Sequence, residues 1–239
     1  MSRYQKGLVF VFVAVWVWSA VNPKFPRDWI LENILVVIFV PIILLLGRYL
    51  RLSNASYTLM TMFLILHVVG SHYTYAEVPF GFTVQRWFGA DRNMYDRLVH
   101  FAFGFLLAYP VREVFMRVAK ARGFWSFFFP LDVTLSMSAV YEIIEWQAAA
   151  LVDPEAGLAF LGSQGDIWDA QKDMLMAGLG AGLAMLILAL LNWRYNPAFL
   201  REVRDSLAIS PAGAPIEKSL FEKWRSGGYR RRTTQVLPS

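Results

Sequence analysis

An all-α, polytopic membrane bundle is the fold class this sequence predicts, and three observations predict it. Of 239 residues, 56% are apolar and only 17% are charged, too few charges for a soluble surface of this size. The apolar residues gather into long blocks rather than short alternating strands, and most blocks approach the ~20 residues that cross about 30 Å of hydrocarbon. Lys and Arg cluster in every second connection, as the positive-inside rule requires of a chain that crosses repeatedly.

Six spans follow in order, over residues 7–21, 29–47, 57–75, 95–115, 124–150 and 170–192. The first is short and opens on the basic MSRYQK, which resembles a secretory signal. Bulky Trp18 in WVWSAV stands where a cleavage site wants a small residue, so the segment reads as an uncleaved anchor. Arg3 and Lys6 precede the first span, Arg48 and Arg51 follow the second, and Arg112, Arg117, Lys120 and Arg122 lie between the fourth and fifth. With the basic residues of the tail, these segments are expected in the cytoplasm, giving six helices with both termini inside.

Residues 1–192 then form the bundle and 193–239 a basic cytoplasmic tail. The tail holds nine Lys or Arg against four acids, which accounts for the whole formal charge of +5. With its SGGYRRR segment the tail reads either as a disordered stretch obeying the positive-inside rule or as a polybasic strip lying on anionic inner-leaflet lipid, and so short a basic run beside a membrane does not point to nucleic acid. With no cysteine, disulfides and thiolate metal or redox chemistry are excluded. Two connections, Tyr75 to Met94 and Val152 to Asp169, carry Pro and Gly and are the long external loops.

Polar residues inside the apolar blocks carry the functional reading. In SAVYEIIEWQAAALV, Ser138, Glu142 and Glu145 share one helical stripe near the outer end of the fifth span. His72, Tyr75 and Glu77 close the third span in HVVGSHYTYAEVP. The fourth opens with MYDRLVHFAFG, whose Asp96 and His100 are four apart on one face. The sixth opens with GDIWDAQKDML, where Asp166, Asp169 and Asp173 share a face. An Asp at mid-helix costs roughly 2.5 to 3.5 kcal/mol on insertion scales, so such residues are expected to face inward and find partners. Carboxylates at close range cannot all ionise without counter-charge, and Arg97 and Lys172 are the nearby cations.

This excess of carboxylates invites a bound metal, bound protons or a cationic substrate group; the metal reading places a divalent ion at the outer face, with His72, Asp96, His100, Glu142, Glu145, Asp169 and Asp173 as candidate ligands and Arg97 and Lys172 as candidate holders of a substrate anion. Nitrogen and oxygen donors without thiolate suit Zn, Mn, Fe or Mg. Such a site would act on a lipid-linked or envelope substrate by hydrolysis or group transfer, with one Glu as general base. Two other readings stand beside it: a proton- or cation-linked carrier using the acids and histidines as relays, and a non-catalytic scaffold in which they only fix helix packing. On the packing account Glu142 pairs with Arg97, and Asp173 with Lys172 or Tyr75. His67 alone on an apolar face reads as an interhelical hydrogen-bond donor. Asp132, near the inner side, is expected to pair with Arg112 or Lys120. In MAGLGAGLAM, Gly178 and Gly182 form a small-xxx-small step for close helix packing.

In their combined order, YDRLVHFAFGF, YEIIEW and GSQGDIWDAQKDML, together with HVVGSHYTYAEVP, resemble the YjdF-type bacterial inner-membrane proteins over roughly residues 57–190. That resemblance implies a multi-pass inner-membrane protein and carries no assigned activity. A more distant likeness is to the VanZ-like proteins, associated with glycopeptide resistance. They share an Asp-x-x-x-His at one helix start, here Asp96 and His100, then an acidic helix, here Glu142 or Glu145, then an Asp before a Gly-rich helix, here Asp169. Asp173 stands where the VanZ-like pattern has Asn, and two additional helices precede the shared part.

Overall fold

The computed structural model describes residues 1–151 and 163–208, apart from the side chain of Leu46. The chain divides into two units, Met1–Ser206 and Leu207–Ser239. The polybasic SGGYRRR and most of the Val152 to Asp169 loop lie outside the described residues. Among the described residues every regular element is helical.

Helix α1 spans Arg3–Ala20 and starts on a capping box, Ser2 accepting from Gln5 N while the Gln5 side chain returns to Ser2 N. Helix α2, Pro26–Leu50, begins with proline in its first turn, where no backbone N–H is needed. Helix α3, Asn54–Tyr73, is capped by Ser53. A 3-10 turn at Tyr75–Glu77 leads to α4, Pro79–Phe88, which ends at Gly89 with φ of 60°. Helices α5, Tyr95–Val118, α6, Trp125–Leu151, and α7, Asp169–Tyr195, complete the bundle, and the short α8 covers Phe199–Ser206.

Five helices, α2, α3, α5, α6 and α7, are long and apolar enough to cross a membrane. Only 17% to 39% of the most apolar stretch of each is buried by protein, so most of that surface needs lipid. Helix α1, with Arg3 and Lys6 in its opening turns, falls outside that set of five. The expected external loop from Tyr75 to Met94 is largely helical instead. Pro79 starts α4 and Gly89 stops it, and Phe80, Trp87 and Phe88 are exposed along it.

Helix α5 is the hub and packs on α3, α6 and α7. Its seam with α7 is closer than side chains allow. A Cβ on Gly104 would stand 1.9 Å from Ala177 O, and one on Gly180 would stand 2.1 Å from Phe101 O. Ala177, Ala181 and Ala184 line the same face of α7, while Leu175, Leu179 and Leu186 point outward. The expected Gly178/Gly182 step is therefore not the seam. Gly182 has open space where a Cβ would go, and Gly178 meets only Leu135 at 3.5 Å. Glycine spacing named the right motif on the wrong face, because MAGLGAGLAM offers small residues on both.

Helices α1, α2 and α3 are tied by polar contacts around Asn33, which accepts from Trp16 Nε1 at 2.7 Å and donates to Ser71 Oγ at 3.2 Å. Val36, Phe12 and Val68 pack beside it.

Candidate functional site

Helix α5 brings the site together, because Arg97 and His100 lie on its buried face and Asp96 beside them. Arg97 reaches α7. Its Nη2 stands 2.5 Å from Asp169 Oδ1 and 3.2 Å from Asp166 Oδ2, its Nη1 donates to Asp169 O at 3.0 Å, and it pairs with Asp173. Arg92 pairs with Asp169, donates to Ser163 O at 3.1 Å, and stands 3.7 Å from Asp96. Lys172 Nζ bonds Asp166 Oδ2 at 2.6 Å, which holds that carboxyl below the usual carboxylate range. Asn93 and Gln164 exchange backbone-to-amide hydrogen bonds at 2.9 and 3.2 Å, so the approach to α7 is fastened to the start of α5 twice over.

Deeper along α5 the chemistry changes. His100 Nε2 lies 3.6 Å from Asp96 Oδ1 and 3.6 Å from Glu142 Oε1 on α6. One ligand atom from each of Asp96, His100 and Asp173 falls within 4.8 Å of the others. Asp173 Oδ1, Glu142 Oε1 and Ser138 Oγ are buried without a hydrogen-bond partner. Buried acceptors are nearly always satisfied, so unmet oxygens on Asp173 and Glu142, flanking His100 from α7 and α6, set this part of the bundle apart. In this part of the bundle Arg92, Arg97 and Lys172 face Asp96, Asp166, Asp169, Asp173 and Glu142, which leaves two negative charges in excess when all are ionised.

The nine candidate residues therefore separate. Asp96, His100 and Asp173 converge, with Glu142 beside His100. Asp169 is bound by both arginines and serves their network. Arg97 has its guanidinium committed to three aspartates rather than free for a substrate anion, and Lys172 is half exposed on Asp166. The packing pairs also change: Arg97 holds Asp173, whereas Glu142 faces His100 and Lys172 faces Asp166. His72 stands apart, its Nδ1 3.0 Å from Ser19 O and its ring 4.5 Å from that of Trp18, where it joins α3 to α1. Glu145 lies with Tyr141, whose hydroxyl also reaches Glu32 Oε2 at 3.3 Å. His67 is the interhelical donor its isolation suggested, between Glu32 O at 3.2 Å and the Tyr75 hydroxyl at 2.6 Å.

Two members of this polar interior escaped the sequence reading. Glu32, 7% exposed, comes from α2, where an acid beside an amide in the apolar block LENILVVIF was the available signal. Arg92 lies in the connection before α5, and only its position four residues before Asp96 hints at a partner.

A bundle of long apolar helices closed around buried arginine, histidine and carboxylates defines a multi-pass membrane protein with a buried polar centre. Residues 4–194 match the family described as "Predicted membrane protein (DUF2238)", and the chain belongs to that family. The inner membrane protein YjdF of Escherichia coli (strain K12) is 39% identical over 200 residues, covering 81% of this chain and 95% of that protein. Like that relative, the chain is a multi-pass inner-membrane protein. No solved structure matches it.

Proposed function

We propose that the protein holds one divalent cation between Asp96, His100 and Asp173, with Glu142 beside it, near the outer face of the inner membrane, and uses it to hydrolyse or transfer a group on a lipid-linked or envelope substrate. The observation that carries this reading is the convergence of ligand atoms within 4.8 Å beside unpartnered oxygens of Asp173 and Glu142. A mixed set of imidazole and carboxylate suits Zn, Mn or Fe. Bound there, a divalent cation supplies Lewis acidity toward a phosphoryl or carbonyl oxygen. Glu142, across from His100, is placed to take a proton from an attacking water. Arg92 and Arg97 hold the α7 carboxylates in position, and Lys172, bonded to Asp166 but half exposed, can also meet a substrate anion.

The topology belongs to the same proposal. Six spans with both termini in the cytoplasm put the start of α5 and of α7 and the end of α6 at the outer face, which matches the 17 Lys and Arg on the inner segments against six elsewhere.

Metal analysis tests the site. Protein purified, loaded with Zn2+ or Mn2+ and desalted is expected to retain about one ion per chain, and Asp96→Asn and Asp173→Asn to lose it. Equal, near-zero metal in all three would remove the enzyme reading.

A carrier is the second reading, and one observation favours it. Below Glu142, Ser138, Thr134 and Ser126 continue one buried stripe of α6, and the hydroxyls of Ser138 and Thr134 lack partners. Cation-dependent uptake by proteoliposomes, lost in Glu142→Gln, would favour that reading over hydrolysis.

A further inference from the structure

The opposite end of α5 carries a second, differently charged site. Arg112 lies half-buried with its guanidinium 4.4 Å over the ring of Phe127, and its Nη2 donates to Ser126 Oγ at 3.3 Å. Its Nε is buried without a hydrogen-bond partner. It lines a hollow closed by the end of α5, the start of α6, the end of α7 and α8, together with Arg122, Ser126, Asn192, Asn196 and Glu202. The expected pair with Asp132 does not form, and no carboxylate among the described residues makes an ion pair with Arg112 or Arg122. Glu113, the adjacent acid, is committed to Arg117 and to Ser53 and Ser56. Glu202 is exposed at the rim.

A guanidinium taken partly out of water without a carboxylate is costly unless an anion meets it. Its planar fork suits phosphate oxygens in particular. The wall opposite offers neutral polar groups. Asn196 accepts from Ala198 N through Oδ1, which leaves its NH2 group as a donor, and Asn192 donates to Leu188 O. The hollow is also held in shape. Gly123, with φ of 51°, lies where a Cβ would stand 2.2 Å from Glu202 O, and Trp125 Nε1 donates to Ser206 O at 2.8 Å, so α8 is pinned against the turn before α6.

We infer that the hollow around Arg112 is a phosphate-binding site, taking the phosphate of an anionic phospholipid headgroup or a free phosphate. It lies at the other end of α5 from the Asp96 cluster and needs no metal. Basic pockets between spanning helices are one way in which membrane proteins bind anionic headgroups.

The test uses the full chain in phosphatidylcholine nanodiscs, with chelator present so that the Asp96 cluster contributes nothing. Inorganic phosphate is titrated calorimetrically in one arm. In the other, phosphatidylglycerol retained by the protein is scored against phosphatidylcholine by native mass spectrometry. Binding of either probe is expected, and the arm that responds names the source. Arg112→Gln should weaken it at least tenfold, while Arg48→Gln, an exposed basic residue at the end of α2, should not. Should Arg112→Gln fail to fold, Asn196→Asp, which sets a negative charge on the same wall, is expected to weaken binding likewise. No binding of either probe by the unaltered protein, or full binding by the folded variants, overturns the site.

Discussion

The Nε2 of His100 and the Oε1 of Glu142 lie 3.6 Å apart across the α5–α6 interface, and that Glu142 oxygen has no hydrogen-bond partner. Two helices that cross a membrane have been brought together at a contact that packing alone would fill with apolar atoms. On the proposed reading, a cation bound there would offset the crowding of the Glu142, Asp96 and Asp173 carboxyls around His100.

Glu142→Gln is therefore expected to act in opposite directions with and without metal. In chelator, removing an unpartnered buried carboxylate should stabilise the protein by about 1 kcal/mol, read as a higher melting temperature in detergent. With Zn2+ or Mn2+ added, the unaltered protein should gain more stability than the variant, and the variant's metal affinity should be about tenfold weaker. A variant less stable in both conditions would mean Glu142 is a structural partner of His100.

Arg97 should be the costliest single residue to lose. Its guanidinium meets Asp166, Asp169 and Asp173 at once; Lys172 and Arg92 still hold the first two, but its removal leaves buried Asp173 without a basic partner. Arg97→Ala is expected to cost about 3 to 5 kcal/mol, seen as lost expression or early melting. Arg97→Lys keeps the charge but not the fork, and should fall between the two. Were Arg97→Ala as stable as the unaltered protein, the α5–α7 network would be an ornament of the fold.

The contrast between these residues and the ones first singled out shows how far a sequence reaches. Apolar blocks reveal spans because lipid imposes length, and Asp96 with His100 was legible because four-residue spacing fixes a shared face. Spacing does not say which neighbour that face meets. Thus His72, close in sequence to other polar residues, turns instead to Ser19 O on α1. Asp169 and Asp173 share a face yet divide, one to the arginines alone and one with a free oxygen beside His100. Glu32 was hidden because a single acid near a helix start resembles an interfacial residue until α6 is packed against it.

The α5–α7 seam gives a prediction independent of the polar centre. Gly104→Ala and Gly180→Ala would each press a methyl into the facing helix backbone, and should cost about 1 to 3 kcal/mol by overpacking. Gly182→Ala meets nothing within 4 Å and should be neutral or stabilising by up to about 1 kcal/mol through helix propensity. Melting temperatures of the three in one detergent decide it. Equal effects at Gly104, Gly180 and Gly182 would place the helix contact elsewhere.

Whether α1 crosses the membrane has a clean test, because the chain lacks cysteine and any introduced thiol is the only one present. Asp91 is exposed between α4 and α5, and Ser2 is exposed just before α1. Three helices, α1, α2 and α3, separate those two positions if all of them cross, and the thiols of Asp91→Cys and Ser2→Cys must then lie on opposite sides. If α1 instead rests at the surface, only two crossings intervene and both thiols lie on the same side. A membrane-impermeant maleimide applied to sealed right-side-out vesicles is expected to label Asp91→Cys and to reach Ser2→Cys only after permeabilisation. The asymmetry has a physical cause in Arg3 and Lys6, whose transfer across the bilayer the positive-inside rule opposes, while Trp16 and Ser19 of α1 are already bound to Asn33 and His72 of its neighbours. Labelling of both thiols from the outside would leave five spans and move the amino terminus to the outer face.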